Sequence, residues 1–317
     1  MNSLYFNIRK KCPACASTTS KTIYKQPFDQ PPIRDYLIDF YSSRGRIELS
    51  YLENGNYILE ECDHCKLIFQ KEIPNDQFME RLYEYWLDPQ KRFEHHRKND
   101  GLDHYLYYAQ EIMQVMTYLK KQPVDLKFFD FGMGWGKWSM MAKAFGCDSY
   151  GSELSRERIK YAESNGLKVI EWNNLPDYQF NFINTEQVFE HLAEPFETLE
   201  HLKRALAPDG IIKISVPTAN NIDQRLRLMN WKAKKGSKHS LNPVAPLEHI
   251  NFYRRKSIIK MADKAGLKEI LIPIRKQYQY MCDWSGIKRI GQNLLKPISL
   301  NLLKKQNYLF FRKTSFD

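Results

Sequence analysis

Four cysteines near the N-terminus form two pairs with the spacing of metal ligands. Cys12 and Cys15 make one C-x-x-C pair, and Cys62 and Cys65 make a second pair after 46 intervening residues. Each tight turn places two sulfur atoms on one side, and zinc binds four thiolates at tetrahedral angles. The spacing therefore predicts one structural zinc site. Unligated or redox-active thiols are the alternative, because compact ribbons usually have a gap of roughly 15 to 20 residues.

A glycine-rich turn follows a buried apolar segment in the middle of the chain. Asp130 precedes Gly132, Gly134 and Gly136, which occupy alternate positions. Glycine lets the backbone approach a ligand where a Cβ atom would collide. The dinucleotide pattern G-x-G-x-x-G needs glycine where Lys137 stands, and a P-loop needs Gly-Lys-Ser/Thr after four spacers. The turn meets neither of these two nucleotide-binding patterns.

The pattern acid-x-Gly-x-Gly-x-Gly after a strand resembles motif I of class I S-adenosylmethionine-dependent methyltransferases, with Asp130 as the acid. Glu153 ends the next β-like segment, where the resemblance implies a carboxylate that binds both ribose hydroxyls of the cofactor. Glu171 and Trp172 follow a third segment, where the resemblance implies an acceptor for the adenine amino group and a cover for its ring. The family more often has aspartate at the position of Glu171.

Later segments match the same family in order. Residues 180–192 resemble its fourth strand with a Glu-His signature, although Gln187 replaces a frequent glutamate. Residues 202–217 resemble its Pro-Gly turn and fifth strand, and residues 248–267 resemble the stretch before its sixth strand. The resemblance covers about residues 104 to 275 and implies an α/β, Rossmann-like class I methyltransferase fold with a seven-stranded, mostly parallel sheet. A small β-rich zinc ribbon is expected to precede it.

Hydrophobic periodicity predicts the elements that position these residues. An alternating run at 46–52, a turn at 54–56 and a run at 57–60 predict a hairpin leading into the second cysteine pair. Apolar residues at helical spacing predict a helix from residue 76 and another over 104–121. The predicted parts are a zinc-ribbon-like domain over 1–75, a helical connector over 76–103 and a methyltransferase domain over 104–317 with basic insertions near 222–246 and 277–305.

Two histidines and one glutamate are the candidates for catalysis. Methyl transfer from a sulfonium is an in-line displacement, so the protein aligns the reactants and exposes the acceptor's lone pair. A sugar hydroxyl ionises poorly, which makes a neutral histidine the natural base. His191 and His249 follow the fourth and fifth strands, at the edge where open α/β sheets bind ligands. Substrate binding and helix capping are their alternative roles. Glu190 either orients a histidine or begins a helix.

Metal-assisted transfer is not expected at this motif. Some relatives with Glu-x-x-Glu-His use it to bind a divalent metal, but Gln187 removes the first carboxylate here. We therefore predict no metal at the Glu-His motif.

The combination of a zinc ribbon with this domain resembles bacterial methyltransferases of sugar and polysaccharide biosynthesis. The resemblance implies a small-molecule or saccharide acceptor. Deoxysugar C-methyltransferases in that group generally carry a further C-terminal domain that this chain is too short to contain, so O-methylation is favoured over C-methylation. An RNA base methyltransferase with an RNA-reading ribbon is the alternative, although the two strongly basic segments lie outside the ribbon and no Asn/Asp-Pro-Pro-Tyr/Phe motif follows the fourth strand. A non-catalytic binding protein is a third reading, which the intact cofactor residues oppose.

The net charge of +11 is concentrated in two segments. Residues 222–240 carry a net charge of +5, and residues 285–313 carry +7 with no acidic residue. The first segment predicts a site for an anionic part of the acceptor, with Trp231 as an aromatic face, and solvated charge that aids solubility is the alternative. Residues 285–305 suit a peripheral membrane-surface helix, although Pro297 interrupts it, and ordinary packing against the domain is the alternative.

Two features of the sequence predict the compartment. No apolar run approaches the roughly 18 residues of a membrane span. The N-terminus has no apolar stretch typical of a secretory signal, so a reducing cytoplasm is expected. The sequence leaves the oligomeric state open.

Overall fold

The chain forms two compact units in a computed structural model, and each unit is built from several segments. The described residues are 4–42, 44–88, 93–94, 101–219, 221–281, 286–303 and 307–314. The first unit comprises Met1–Asn99, Glu190–Pro195 and Pro217–Ser257. The second unit comprises Asp100–Phe189, Phe196–Val216 and Ile258–Asp317.

Strands and helices are numbered here in chain order. The strands are β1 Phe6–Ile8, β2 Ser20–Pro27, β3 Asn56–Cys62, β4 Ile68–Gln70, β5 Glu72–Pro74, β6 Lys127–Phe131, β7 Asp148–Ser152, β8 Lys168–Val169, β9 Phe180–Glu186, β10 Leu206–Ser215, β11 Asn251–Phe252, β12 Leu267–Ile270 and β13 Tyr308–Lys313. The helices are α1 Ile33–Ser42, α2 Asp76–Arg81, α3 Leu102–Leu119, α4 Lys137–Ala144, α5 Arg156–Ser164, α6 Pro195–Arg204, α7 Ile222–Leu228, α8 Arg255–Lys264, α9 Ile274–Gln279 and α10 Gly286–Ile298.

The first unit contains an antiparallel sheet with the strand order β11-β4-β3-β2, and β1 pairs with β5 beside it. The later strand β11 therefore extends the sheet that carries the second cysteine pair. An aromatic core fills this unit, with fully buried side chains that include Phe28, Tyr41, Tyr57, Phe78 and Trp86. Large aromatic side chains of this kind supply much of the buried apolar area in a small unit.

The predicted strand over residues 46–52 is wrong. Leu49–Leu52 form a short 3-10 turn, and β3 pairs with β2 instead. Glu48 explains the difference, because its carboxylate accepts hydrogen bonds from the guanidinium of Arg81 and from the indole N–H of Trp86. These contacts fix the segment against the helical region after residue 76, while Leu52 is buried in the aromatic core. Alternating hydrophobicity here reflects a turn with one buried side.

The second unit contains a seven-stranded sheet with the order β12-β13-β10-β9-β6-β7-β8. Neighbouring strands from β10 to β8 are parallel, whereas β13 runs antiparallel to β10 and β12. This arrangement confirms the predicted fold class. Phe128 and Phe129 of β6 and Phe180 and Phe182 of β9 are fully buried. Such apolar strands need cover on both faces, which helices provide in α/β proteins.

The parallel strands place their carboxyl ends at one edge of the sheet. The glycine-rich turn follows β6 there, Glu153 follows β7, and Glu171 and Trp172 lie just beyond β8. Open α/β sheets bind ligands at this edge. Helix α3, which confirms the predicted helix over 104–121, buries Ile112 and Val115 in the core of the same unit. In the part of the chain that the structure describes, no helix is both long and apolar enough to cross a membrane.

Candidate functional site

The glycine-rich turn in the second unit leaves space for a ligand. Gly134 has a φ of +56°, a left-handed conformation that side chains rarely adopt, and no atom lies within 4 Å of where its Cβ would be. Gly136 has a φ of +70°, and a Cβ there would lie 2.6 Å from a methyl carbon of Leu167. Backbone conformation therefore requires glycine at both positions. The open space at Gly134 lets a ligand approach the backbone.

Glu153 connects this turn to the end of β7. Its Oε2 accepts a hydrogen bond from the backbone N–H of Gly134 at 3.0 Å. Its Oε1 accepts from the N–H groups of Leu154 and Ser155 at 3.0 and 3.1 Å, and Arg158 Nη1 lies 3.5 Å from the same oxygen. A carboxylate has about four acceptor sites, so these N–H groups leave capacity for a ligand hydroxyl. The side chain is 10% exposed.

Asp130 is a buried carboxyl group that shapes the turn. Its Oδ1 accepts a hydrogen bond from Asn184 Nδ2 at 2.7 Å, and its Oδ2 accepts from Ser139 Oγ at 3.2 Å. Burial raises the pKa of Asp130 to about 7, although both hydrogen bonds act in the opposite direction. The carboxyl group thus ties β6 to β9 and α4. Sequence reasoning missed Asn184 and Ser139, because no motif marks them.

The raised pKa of Asp130 predicts a pH-dependent stability. The folded chain holds this proton more tightly than an unfolded aspartate with a pKa near 3.8, so the contribution is present below that pKa and is lost as pH rises toward 7. We expect the unfolding free energy of Asp130→Asn, relative to the native chain, to increase by about 1 to 3 kcal/mol between pH 4 and pH 7. Urea titrations at both pH values measure it, with the exposed Asp125→Asn as control. A difference that does not change with pH would contradict the assignment.

Trp172 and Glu171 lie beyond β8, as expected from the sequence. Trp172 is 38% exposed and stacks on the imidazole of His201, with 4.0 Å between ring centroids. His201 Nε2 donates a hydrogen bond to the backbone oxygen of Trp172 at 2.8 Å, and the Phe131 ring centroid lies 5.4 Å from the indole. Glu171 is exposed. The indole is therefore oriented by His201, a contact that the sequence did not indicate.

A buried charge network supports the carboxyl end of β9. Lys213 Nζ is fully buried and lies 2.8 Å from a Glu111 oxygen and 2.6 Å from a Glu186 oxygen. Burial lowers the pKa of Lys213, but the two carboxylates outweigh it and leave the pKa above its usual value. Glu111 also accepts hydrogen bonds from Trp138 Nε1 at 2.8 Å and from the hydroxyl of Tyr308. Since removing one partner of a buried pair is costly, this network fixes α3 against the sheet.

The four cysteines of the first unit meet at one point. Cys12 Sγ lies 3.6 Å from Cys65 Sγ, Cys15 Sγ lies 3.6 Å from Cys62 Sγ, and all four sulfur atoms lie within 4.8 Å of one another. Four thiolates at about 2.3 Å from a tetrahedral zinc ion would be about 3.8 Å apart. A hydrogen bond from Cys65 lowers the pKa of Cys12 to about 5, whereas burial raises the pKa of Cys15 to about 11. The donor set and spacing fit a structural zinc ion.

His191 and His249 form a pair in the first unit, with 5.0 Å between ring centroids. His191 Nδ1 lies 2.8 Å from the backbone oxygen of Glu248, and His249 Nδ1 lies 2.6 Å from that of Asn242. Since a carbonyl oxygen only accepts, each Nδ1 carries a hydrogen, and in the neutral form of either ring Nε2 has the lone pair. Burial lowers the pKa of His249 to about 3, with His191 acting in the same direction, so His249 is neutral at physiological pH.

Glu190 completes this cluster. Its carboxylate is 2% exposed, and its Oε1 lies 3.8 Å from His191 Nε2. A carboxylate at this distance stabilises the protonated form of the imidazole. The ligand atoms of Glu190, His191 and His249 all lie within 4.8 Å of one another, so the same set has the chemistry to hold a divalent cation. In the sequence, 57 residues lie between the two histidines, and no pattern predicted that their rings contact each other.

Arg9 anchors the segments that carry both histidines. Its Nη2 donates hydrogen bonds to the backbone oxygens of Leu192 and Ala193 at 3.1 and 2.7 Å, and its Nη1 donates to Asn251 Oδ1 at 2.9 Å. Burial lowers the pKa of Arg9 to about 10, so the group remains charged at neutral pH. Hydrogen bonds from a charged group are stronger than neutral ones. Arg9 lies three residues before Cys12, but no local motif marks it.

Gln70 connects strand β4 to the segment that carries His249. Its Nε2 donates to the backbone oxygens of Ala245 and His249, each at 3.1 Å, and its Oε1 accepts from the N–H of Leu247. Gln70 ends β4, five residues after Cys65, and is fully buried. The sheet that carries the cysteine pairs is therefore also the support of the His249 segment.

The basic segment over 222–240 differs from its predicted form. Trp231 is only 7% exposed and packs against Tyr24, Tyr36 and Tyr57, so the expectation that it presents an aromatic face to a ligand is wrong. Arg225 is partly buried and donates to the backbone oxygen of Ser240 at 3.0 Å. The remaining cations of the segment are exposed: Arg227, Lys232, Lys234, Lys235 and Lys238.

Comparisons with known proteins agree on one class of domain. A family described as a methyltransferase domain matches residues 76–271, which is more than half of the chain. Among curated proteins, none matches this sequence.

Several solved structures resemble the chain at low identity. The plantazolicin methyltransferase BpumL, in complex with a pentazolic desmethylPZN analog and SAH, is 14% identical over 75% of this chain and 95% of its own, with a TM-score of 0.47. PKMT2 from Rickettsia typhi, in complex with AdoHcy, is 15% identical over 66% and 53%, with a TM-score of 0.39. A TehB-like SAM-dependent methyltransferase from Corynebacterium glutamicum is 15% identical over 71% and 96%, with a TM-score of 0.40. Since these TM-scores lie below 0.5, the assignment depends on the family match and the strand order.

Proposed function

Because this chain belongs to the methyltransferase-domain family, we propose that it transfers a methyl group from S-adenosylmethionine to a hydroxyl of a sugar or cell-surface saccharide precursor. The strand order and the glycine-rich turn agree with a methyltransferase that depends on this cofactor. The pair of histidines carries the hydroxyl part of the proposal, since each imidazole has its Nδ1 hydrogen fixed on a backbone carbonyl and therefore has Nε2 as its basic atom. A hydroxyl acceptor needs such a base, whereas a more nucleophilic amine does not.

The cofactor residues follow from the carboxyl edge of the sheet. We propose that Glu153 binds the ribose hydroxyls of the cofactor and that Glu171 and Trp172 contact its adenine. The cofactor would approach the backbone closely at Gly132, Gly134 and Gly136. Asp130 shapes this turn. The open space at Gly134 and the acceptor capacity of Glu153 support this assignment. The remaining acceptor capacity is on Oε2, which accepts from the Gly134 N–H alone, so this oxygen is the one that would accept from the ribose cis-diol.

Replacing Glu153 tests the cofactor assignment. We expect Glu153→Ala to weaken S-adenosylmethionine binding by roughly 1.5 to 3 kcal/mol, because hydrogen bonds to a charged group have this strength. Glu153→Gln, which keeps one carbonyl acceptor, should fall between the native chain and the alanine variant. Calorimetry measures both dissociation constants, and Glu157→Ala, at an exposed acid in the same region, is the matched control. Native affinity in a folded Glu153→Ala protein would reject this role.

In the proposed reaction, His191 Nε2 takes the proton of the acceptor hydroxyl. The acceptor oxygen forms a bond to the methyl carbon, the bond from that carbon to sulfur breaks, and its electron pair stays on sulfur to give S-adenosylhomocysteine. Glu190 stabilises the imidazolium that forms on His191, 3.8 Å away. His249 stays neutral and accepts a hydrogen bond from the acceptor, because burial lowers its proton affinity.

Turnover in the presence of a chelator tests whether a metal ion at this cluster takes part in catalysis. If the histidine acts as a base without a cation, turnover continues in a chelator at a concentration that leaves the zinc content unchanged. Loss of turnover that Mg²⁺ or Mn²⁺ restores would instead assign Glu190, His191 and His249 to a bound cation, contrary to our expectation.

The exposed cations of the first unit support an anionic acceptor, such as a nucleotide-linked or lipid-linked sugar with phosphate groups. Replacing Arg227, Lys232, Lys234 and Lys238 with glutamine should raise the KM for an anionic acceptor several-fold. The Kd for S-adenosylmethionine should not change. High salt should reduce the defect, because screening weakens the native attraction. Equal KM values at low salt would assign the charge to solubility.

A control variant at four other exposed lysines also distinguishes a saccharide acceptor from the RNA alternative. Exposed lysines at Lys10, Lys11, Lys21 and Lys25 belong to the cysteine-bearing part of the first unit. Their replacement with glutamine should leave KM unchanged if this part is a scaffold, as the contacts of Arg9 and Gln70 support. A larger defect in this control, with RNA as the methylated product, would favour an RNA-reading ribbon.

A further inference from the structure

An apolar stripe on α10 faces away from the core of the second unit. Ile287, Ile290, Leu294, Ile298 and Leu302 recur every three or four residues along α10 and the turn after it. This spacing places them on one face of a helix. Their side chains are 91, 37, 48, 38 and 71% exposed, respectively. A surface helix of a globular domain normally buries such a stripe against the core, whereas this stripe remains exposed.

Another side of the helix contacts the rest of the second unit. Asn293 is only 9% exposed, and Pro297 is buried. The ammonium group of Lys296 lies 5.1 Å from the centroid of the Tyr107 ring, a cation–π contact. The hydroxyl of Tyr278 on α9 donates to the backbone oxygen of Leu294 at 2.5 Å. Packing of the apolar side against the domain, one of the two expectations from the sequence, is therefore not what the described residues show.

The charge around the stripe indicates its partner. Between residues 284 and 307 the sequence contains no acidic residue and five basic ones: Lys288, Arg289, Lys296, Lys304 and Lys305. Lys288 and Arg289 belong to α10 by sequence, although their side chains, like residues 304–306, lie outside the described ones. A second copy of this chain would bring the same positive charge against the stripe, which opposes self-association. An anionic lipid surface offers apolar depth and opposite charge together.

We propose that α10 and residues 299–303 form a docking surface for an anionic lipid bilayer. The 18 residues Gly286–Leu303 span about 27 Å if wholly helical, and lie in the plane of the interface with the apolar stripe in the acyl boundary. This inference is independent of the proposed acceptor, because lipid binding requires neither the cofactor nor a saccharide.

Vesicle co-sedimentation with the full chain tests the proposal. The native protein should bind vesicles of phosphatidylcholine with phosphatidylglycerol, bind pure phosphatidylcholine vesicles at least about 10-fold more weakly, and dissociate as salt rises. The triple variant Ile287→Ser, Leu294→Ser and Leu302→Ser should lose at least about 10-fold in binding to the anionic vesicles.

A matched triple variant controls for general loss of surface hydrophobicity. It replaces Leu102, Val124 and Leu271 with serine, which are 72, 79 and 47% exposed in the same unit. This control should bind vesicles like the native chain, and both variants should keep the native melting temperature and S-adenosylmethionine affinity. Absence of native binding, or equal binding by the two variants, would overturn the proposal. So would light scattering that shows a native dimer which only the α10 variant converts to a monomer.

Discussion

The His191→Ala variant is expected to turn over about 10²- to 10⁴-fold more slowly than the native chain, the usual contribution of a general base. The Kd for S-adenosylmethionine should be unchanged, because the cofactor residues lie on other segments. The reason is chemical: without the His191 Nε2 lone pair, the proton of the acceptor hydroxyl has no acceptor when the oxygen attacks the methyl carbon. Single-turnover measurements with saturating cofactor isolate this step from product release.

Three comparisons separate a base from a residue that only supports the fold. Imidazole added to the buffer should restore part of the activity of His191→Ala, because it fills the space and supplies the lone pair. His104→Ala, at an exposed histidine of α3, should have native activity. Glu190→Gln should lose less than His191→Ala, since it only weakens stabilisation of the imidazolium. Native turnover by His191→Ala, or a loss that imidazole never repairs, would contradict the proposed role.

Cys62→Ser is expected to lose bound zinc and to destabilise the first unit strongly. Four-thiolate sites can contribute on the order of 10 kcal/mol of binding energy to folding. Cys62 lies at the end of β3, and the neighbouring Cys65 segment leads into β4 and Gln70, which holds the His249 backbone. Loss of zinc should therefore lower both the melting temperature and the turnover.

Elemental analysis and thermal melts measure this prediction on the same samples. The matched control is Cys147→Ser, which removes a buried thiol of the second unit that contacts Met116 and lies outside the cysteine cluster. The control should keep native zinc content. Freshly purified native protein without zinc, or unchanged zinc content in Cys62→Ser, would overturn the assignment of the four cysteines.

The elements around the glycine-rich turn were predictable because their signals are local. Strands expected before Gly132, before Glu153 and through Glu186 are confirmed as β6, β7 and β9. Each of these strands ends at or just before a polar or glycine residue, so the local sequence indicates where the strand stops and the next side chain emerges. The four cysteines were predictable for the same reason, since each C-x-x-C turn is complete within four residues.

The supports of the site were not predictable, because they join residues far apart in the chain. Lys213 pairs with Glu111 across 102 positions, and Arg9 reaches the Leu192 backbone across 183. Neither pair has a local pattern, and a single sequence cannot indicate such contacts. The strand predicted over residues 46–52 was wrong for a different reason. Alternating hydrophobicity indicates only that one side of a segment is buried, and a 3-10 turn can bury one side as a strand does.

The identity of the methylated atom tests the central claim most directly. The native chain, supplied with S-adenosylmethionine that carries ¹³C in its methyl group, is incubated with nucleotide-linked and lipid-linked sugars, peptides and RNA, and the labelled product is analysed by NMR. We predict that the labelled carbon appears in a saccharide and couples through an oxygen to a ring carbon, as in a methyl ether. Label bonded directly to a sugar carbon, or label found only in RNA or peptide, would contradict transfer to a saccharide hydroxyl.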